Sequence, residues 1–216
     1  MPYRLTPFIN QNYYHLFNRG VEKRQVFSVD QDYQRFLETV YYYQFKGPKP
    51  RFSTHKRFRI KDFYKNPKII EVICYSLMPN HFHLLIRQLY DGGIEEFMKK
   101  VLNSYTKYFN TKHRRIGPLF QGQFKAVSVD TDEQLLHLSR YIHLNPYVAD
   151  ITNSLESYLY SSYPNFIGLR NNSLCNAEPI LSFFKNPKAY MKFISDHQSY
   201  AQELERIKHL LIDIEE

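Results

Sequence analysis

The chain has 216 residues, 43% of them hydrophobic and 17% aromatic, which excludes extensive disorder and suits one large domain or a domain with an appendage. No apolar run approaches the roughly 18 residues of a membrane span and no apolar leader is visible, so we expect no membrane association. The two cysteines, Cys74 and Cys175, are too few for a disulfide framework and favour a reducing, cytoplasmic location.

The net charge of +8 is unevenly distributed along the chain. Residues 44–69 carry nine basic side chains against one acid, Asp62, and residues 99–125 carry seven basic side chains and no acid. From residue 130 onward the balance reverses, with 12 acids and 7 bases. A basic half beside an acidic tail indicates a polyanionic partner, most simply nucleic acid, although an ordinary solvated surface gives the same pattern.

The hydrophobic pattern predicts strands alternating with helices. In chain order we expect a strand at 10–18, a helix at 30–44, a loop or hairpin in the basic segment up to Pro67, and strands at 68–77 and 81–88 joined by a tight turn. A strongly amphipathic helix follows over 93–109, then a strand at 119–129 and a helix at 131–145 that Pro146 ends. Residues 153–175 are expected to be irregular, with two short helices in 181–214. The hairpin and the short links favour an α+β fold, with helices packed on one face of an antiparallel sheet.

Two histidines stand out in the strand at 81–88. Side chains alternate between the two faces of a strand, so His81 and His83 point the same way and Phe82 points to the other face. Two imidazoles one residue apart on one face can share a metal ion. Either histidine alone is more often structural.

The helix at 131–145 carries a polar stripe beside its apolar one. Tyr141 and Asn145 are four residues apart, so they lie one turn apart on the same face, where they can form the wall of a cleft. The alternative is a tyrosine ring packed at the core edge and an asparagine near a helix end. Tyr105 and Tyr108 lie on the apolar stripe of their own helix and are expected in the core.

These segments together resemble a known family. The run LMPNHFHLLI at 77–86 resembles the HUH motif (histidine, bulky apolar residue, histidine) of single-tyrosine transposases of the IS200-like family, and YIHLNP at 141–146 resembles their catalytic helix. Three further runs, FNRG at 17–20, LFQGQF at 119–124 and SSY at 161–163, are most similar to the REP-associated branch, the one associated with repetitive extragenic palindromes. The similarity extends from about residue 10 to about residue 168.

The resemblance implies a DNA-processing enzyme that cleaves and rejoins single-stranded DNA near hairpins. Tyr141 would attack the scissile phosphate and form a 5′-phosphotyrosine, while His81, His83 and Asn145 would hold one Mg²⁺ or Mn²⁺. The better-known insertion-sequence branch has glutamine where this chain has the shorter Asn145. No nucleotide cofactor is expected, because one ester replaces another and no GxxxxGK[ST] phosphate loop is present.

The resemblance also implies a ferredoxin-like or RRM-like sheet, with a catalytic domain at 1–150 and a C-terminal helical extension at 151–216 packed on it. A monomer is favoured and a dimer is possible. Basic and polar residues near the motifs and in the basic segment are the candidates for contact with single-stranded or hairpin DNA. They are Arg19, Arg24, Lys56, Arg57, Arg59, Arg114, Arg115 and Gln121.

Two other functions remain open at this level. The same fold without its chemistry would be a module that only binds hairpin DNA. A metal-dependent phosphodiesterase would instead use His81 and His83 to activate water, but it also needs a nearby carboxylate, which neither motif supplies.

Overall fold

The computed structural model describes residues 7–47, 50–58 and 63–196. It is built on a four-stranded antiparallel sheet of order β2-β3-β1-β4. The strands are β1 (Tyr13–Arg19), β2 (Ile70–Met78), β3 (His81–Gln88) and β4 (Lys125–Val129). This confirms the α+β fold with an antiparallel sheet.

Seven helices accompany the sheet in the described part of the chain, together with single 3-10 turns at Val21–Lys23 and Phe63–Lys65. They are α1 (Asp30–Tyr43), α2 (Phe52–Phe58), α3 (Gly93–Lys112), α4 (Asp132–Val148), α5 (Tyr163–Phe166), α6 (Glu178–Leu181) and α7 (Pro187–Ser195).

One face of the sheet is covered by α1 and α3. Phe82, Leu84 and Ile86 of β3 are completely buried there, and the ring of Phe82 lies 5.1 Å from that of Phe36 on α1. The apolar stripe of α3, including Phe97 and Val101, joins the same core. Helices α1 and α3 therefore form the helical layer that the sequence predicts on one face of the sheet.

The other face carries α4 and the segment that follows it, so the helices are not confined to one face as predicted. Ile73, Cys74 and Leu85 form a second core there with Ile142 of α4 and with Tyr190 of α7. A β-bulge between Val72 and Cys74 lets the consecutive Ile73 and Cys74 both belong to this second core.

His143 links α4 to the segment after it. This buried histidine hydrogen-bonds through Nδ1 to the Tyr190 hydroxyl and through Nε2 to Ser162 Oγ, each at 2.7 Å. Ser162 Oγ in turn accepts a hydrogen bond from the Tyr75 amide of β2 at 2.8 Å. Residues 151–196 therefore pack on the sheet; the domain boundary at residue 150 stays a prediction.

Three predicted boundaries are wrong. Helix α4 does not stop at Asn145, because Pro146 lies in its last turn, where the missing N–H removes only one hydrogen bond and Ala149 N still donates to Asn145 O at 3.0 Å. Strand β4 begins at Lys125 rather than at 119, after Gly122 with a φ of +63°. The basic segment is not a loop or hairpin throughout, because α2 forms in it and is anchored by the buried Phe52.

No helix in the described ranges is both long enough and apolar enough to cross a bilayer.

Candidate active site

The two histidines of β3 form the floor of the site. His81 and His83 lie on the same face of the strand, as the alternation predicts, with ring centroids 5.0 Å apart. Their partners in the neighbouring strand are Arg19 and Phe17, so these β1 residues share the face.

The contacts of His81 favour one tautomer. Its Nδ1 lies 2.6 Å from Asn80 Oδ1, and the Asn80 amide nitrogen donates to Lys23 O at 3.3 Å. The oxygen of that amide therefore faces the ring, so Nδ1 is the protonated nitrogen and donates, and Nε2 keeps its lone pair. The Asn145 side chain is near enough to raise the pKa of His81, which places the amide of α4 beside the histidine of β3.

A third histidine supports His83 from β1. His15 Nε2 lies 2.9 Å from His83 Nδ1, and the two rings are stacked at 5.1 Å. If His83 Nδ1 donates this hydrogen bond, the Nε2 of His83 is left with a free lone pair. Sequence reasoning missed His15. The only signal for it was strand alternation, which places His15 on the face opposite to that of the buried Tyr14 and Leu16.

Burial keeps these imidazoles neutral. Desolvation lowers the pKa of His15 to about 4. It is also the main cause that lowers the pKa of His81 to about 4, with the charge of Arg19 adding to it and the Asn145 side chain opposing it. The pKa of His83 lies well below its usual value, first through burial and then through the two neighbouring histidines. At neutral pH the rings are thus in the form that binds metal ions, and no proton has to leave first.

Tyr141 projects from α4 over these rings. It is 48% exposed, and its ring meets that of His83 edge-on at 5.5 Å and that of His15 at 6.1 Å. The structure therefore brings together Tyr141, Asn145 and both histidines of the motif. Tyr105, in contrast, is fully buried, and its hydroxyl donates to Val26 O at 2.5 Å.

The donor set fits a divalent ion. Two neutral imidazoles can present Nε2, and the amide of Asn145 can add an oxygen, which leaves the positive charge of an ion uncompensated. In the described part of the chain no three histidine, cysteine or carboxylate side chains cluster as a metal site. A third ligand from the protein would therefore be the amide, as the resemblance implies.

Two of the predicted DNA contacts lie beside the histidines. Arg19 is exposed on the face of His81, and the backbone of Gln121 donates to Arg19 O at 2.8 Å, which places the exposed Gln121 at the same end of the sheet. Arg24 is further round the turn, where its Nε donates to Val21 O at 3.3 Å and its guanidinium lies 3.6 Å from Glu22.

The remaining predicted contacts lie elsewhere. Arg114 is exposed at the end of α3, whereas Arg115 donates to Asn110 Oδ1 at 2.8 Å and helps to close the loop. Lys56 pairs with Glu38 at 2.6 Å and Arg57 is exposed, both on α2. Arg59 lies outside the described residues.

The sequence of the central segment identifies the class of protein. Residues 52–145, which include both histidines, Tyr141 and Asn145, match the family model described as "Transposase IS200 like". The resemblance to IS200-like transposases seen in the motifs is therefore confirmed over this segment. No curated protein sequence matches the chain.

Solved structures that are similar to the chain include two transposases. A REP-associated tyrosine transposase bound to a REP hairpin matches with a TM-score of 0.52 at 12% identity, over 82% of this chain and 98% of the other. At this identity the match shows a common fold. A putative transposase from Deinococcus radiodurans R1 matches with a TM-score of 0.36 at 13% identity, over 65% of this chain and 95% of the other.

Proposed function

We propose that this transposase cleaves and rejoins single-stranded DNA near hairpins, through a 5′-phosphotyrosine at Tyr141 and with one Mg²⁺ or Mn²⁺ held by His81, His83 and Asn145. The observation that carries the proposal is the convergence of α4 on β3. The exposed Tyr141 lies over His83, and the amide of Asn145, one turn further along α4, lies beside His81.

The chemistry is an exchange of esters. The phenolic oxygen of Tyr141 attacks phosphorus, a bond from phosphorus to that oxygen forms, and the bond to the 3′ oxygen of the preceding nucleotide breaks. The phenolic proton balances the leaving 3′ oxygen, either directly or through solvent, and gives a free 3′-OH. A later 3′-OH attacks the phosphotyrosine and restores the phenol, so no nucleotide fuel is consumed.

The residues of the site have separate tasks in this reaction. Phenols have a pKa of about 10 in water, so an uncharged phenol is a weak nucleophile at neutral pH. A divalent ion, when bound, polarises the scissile phosphate and stabilises the charge that develops on it. Asn80 and His15 orient the two imidazoles, and α4 holds Tyr141 above them.

The exposed part of the same sheet face offers a path for the DNA strand. Arg19, Lys125 and Val127 are exposed, and Phe17 lies between them and His83 at a ring distance of 5.9 Å. Basic side chains neutralise phosphates, and an aromatic ring on an open sheet stacks on an unpaired base. Gln121 is at the near edge of this surface and is proposed to contact the DNA with Arg19.

The remaining expectations belong to this proposal. They are a catalytic domain at 1–150, an extension at 151–216, a monomer rather than a dimer, a cytoplasmic location, and DNA contacts by Arg24, Arg114 and Arg115 in addition to those on α2.

The test is formation of a covalent adduct on labelled hairpin DNA with a single-stranded flank. With Mn²⁺ or Mg²⁺, a denaturing gel should show a strand linked to the protein; EDTA and Tyr141→Phe should each abolish the adduct and the cleavage. The Phe variant keeps the ring and should bind the DNA as the native protein does. Peptide mapping should place the linkage at Tyr141.

Two results would contradict the proposal. Cleavage without any protein linkage would indicate a metal-dependent phosphodiesterase that activates water. Tight binding of the hairpin with neither cleavage nor adduct in either metal would indicate a module that only binds DNA.

A further inference from the structure

Helix α4 is held between the sheet and the segment that follows it, and His143 lies at the junction of all three. At 3.6 residues per turn, His143 is about 200° round the helix from Tyr141, and Asn145 is about 200° further on. His143 therefore faces away from the candidate site. It is completely buried, and the ring of Phe166 meets it edge-on at 4.7 Å. The surroundings of this imidazole are thus part of what orients α4.

The hydrogen bonds of His143 run in one direction through a buried chain of side chains. Ser139 Oγ donates to Leu136 O at 2.7 Å, because a carbonyl can only accept. The single hydrogen of Ser139 is then used, so its oxygen accepts from the Tyr190 hydroxyl at 3.2 Å. The Tyr190 oxygen in turn accepts from His143 Nδ1 at 2.7 Å. His143 is therefore protonated on Nδ1.

The other nitrogen of His143 continues the chain to β2. Burial disfavours the imidazolium, so His143 carries one N–H and its Nε2 accepts. The donor is Ser162 Oγ at 2.7 Å, which accepts in turn from the Tyr75 amide at 2.8 Å. The other possible acceptor for Ser162, Tyr75 O, is more distant at 3.2 Å. Each hydroxyl and the imidazole of this chain thus donate one hydrogen bond and accept another, from β2 through α4 to α7.

This polar chain fixes α4 in a way that apolar packing alone does not. The apolar contacts of α4, which include Ile142 and Leu144, bury the helix against the second core. Apolar contact is not directional, whereas hydrogen bonds weaken steeply when their angles change. The imidazole of His143 must meet Ser162 and Tyr190 at the same time, so the chain sets the rotation of α4 about its axis.

That rotation decides where Tyr141 stands. The side chain is 48% exposed, so packing encloses only part of it and the backbone of α4 determines the place of its hydroxyl. Asn145 belongs to the same face of the helix and lies beside His81. A displacement of about 1 Å in a reacting group can slow a reaction about 100-fold. The buried side of α4 therefore controls the geometry on its exposed side.

We propose that His143 is a positioning residue for phosphoryl transfer by Tyr141. Together with Ser162 and Tyr190 it fixes the rotation of α4, and thereby the places of the phenol and of the Asn145 amide. The proposal rests on the proposed function in taking Tyr141 as the nucleophile. It makes two buried residues of the segment after α4 necessary for the reaction.

The experiment compares two variants that each lose one buried phenolic hydroxyl and keep the ring. Tyr190→Phe breaks the chain between His143 and α7. The matched control is Tyr158→Phe. The Tyr158 hydroxyl belongs to the same segment but donates to Leu77 O of β2 at 2.7 Å, so it anchors the segment to the sheet rather than to α4.

Four measurements separate positioning from stability. Thermal melts measure stability, and fluorescence anisotropy in EDTA measures the affinity for labelled hairpin DNA. Single-turnover assays at saturating DNA and Mn²⁺ measure the rate of adduct formation. Titration calorimetry measures Mn²⁺ affinity without any DNA.

Tyr190→Phe should slow adduct formation about 10- to 100-fold and lower Mn²⁺ affinity about tenfold, because Tyr141 and Asn145 move with the helix. Its affinity for the hairpin should stay native, since DNA contacts elsewhere supply it. Tyr158→Phe should lower the melting temperature comparably but keep the native rate and Mn²⁺ affinity. Ser162→Ala breaks the other end of the chain and should behave as Tyr190→Phe does; it decides the question if Tyr190→Phe does not fold.

Two results would overturn the proposal. One is a native rate of adduct formation in both Tyr190→Phe and Ser162→Ala, which would contradict this inference alone. The other is an equal loss of rate in Tyr158→Phe, which would make the effect one of stability. A native chain that forms no adduct, but loses Mn²⁺ affinity in Tyr190→Phe and not in Tyr158→Phe, would contradict the proposed reaction and support the positioning of α4. A native chain with neither adduct nor Mn²⁺ binding would contradict both.

Discussion

The two faces of strand β3 have different roles: one is buried in the core, and the other carries the candidate reactive side chains. On one face Phe82, Leu84 and Ile86 are completely buried in an aromatic core under α1 and α3. On the other, His81 is half-buried and His83 faces the exposed Tyr141 of α4. One strand with an alternating sequence thus fixes a rigid layer on one side, and that layer holds the reactive groups in place on the other.

The largest expected effect separates these faces directly. Phe82→Ala should lower the free energy of unfolding by about 3–5 kcal/mol, because it leaves a cavity against Phe36. His83→Ala should abolish adduct formation while leaving hairpin binding largely intact, because the basic surfaces supply most of the affinity. Urea denaturation and the adduct gel measure the two outcomes.

Two results would contradict these roles of the two faces. Full cleavage by the H81A/H83A double variant would remove these histidines from the site. A loss of more than about 3 kcal/mol in His83→Ala would mean that the histidine face is as structural as the aromatic one.

The histidine side should also make stability depend on pH. Burial lowers the pKa of His143 to about 3 and that of His15 to about 4, and burial together with the charge of Arg19 lowers the pKa of His81 to about 4. In the unfolded chain these groups titrate near 6.5, so between roughly pH 6.5 and 4 the unfolded state binds more protons. Stability is therefore present in full above pH 6.5 and falls as the pH drops, by up to about 1.4 kcal/mol per pH unit for each histidine.

Urea denaturation of the metal-free protein between pH 7.5 and 4.5 measures this slope. His143→Gln should make it shallower. A stability that does not vary over this range would mean that the buried imidazoles accept protons without unfolding.

Much of the histidine face could be predicted from the sequence, because it depends on local periodicity. Alternation alone places His81 and His83 together, and a spacing of four places Tyr141 beside Asn145. The pairing of these two elements needed the family resemblance, because no local pattern says that α4 crosses the face of β3.

Other features depend on contacts between distant segments, which no local pattern contains. His15 meets His83 only because β1 pairs with β3 in a particular register. The sequence predicts a helix end at Pro146, but the cost of a proline depends on its position, and Pro146 lies in the last turn of α4.

Substitution of His15 should have a smaller effect, and it tests the pairing register of β1 with β3. His15→Phe keeps a ring beside His83 but removes the nitrogen 2.9 Å from its Nδ1, so Mn²⁺ affinity should fall about 10- to 100-fold. His15→Gln can restore an acceptor and should recover much of the affinity. Titration calorimetry with Mn²⁺ measures the binding without any DNA. Equal affinity in the Phe and Gln variants would show that His15 only fills space.

The last comparison makes the same change of side chain on the two sides of the sheet. Tyr105→Phe removes a buried hydroxyl that donates to Val26 O, and it should cost about 1–3 kcal/mol of stability, because the carbonyl loses its partner. It should leave the adduct unchanged, since burial raises the pKa of this phenol and the ring lies in the core under α1. Tyr141→Phe removes an exposed hydroxyl and should show the reverse: native stability and no adduct. A thermal melt and an adduct gel on the two variants make a complete comparison. A phosphotyrosine at Tyr105 or Tyr108 would assign the nucleophile to the wrong side of the sheet, and a destabilised but adduct-forming Tyr141→Phe would make that tyrosine structural.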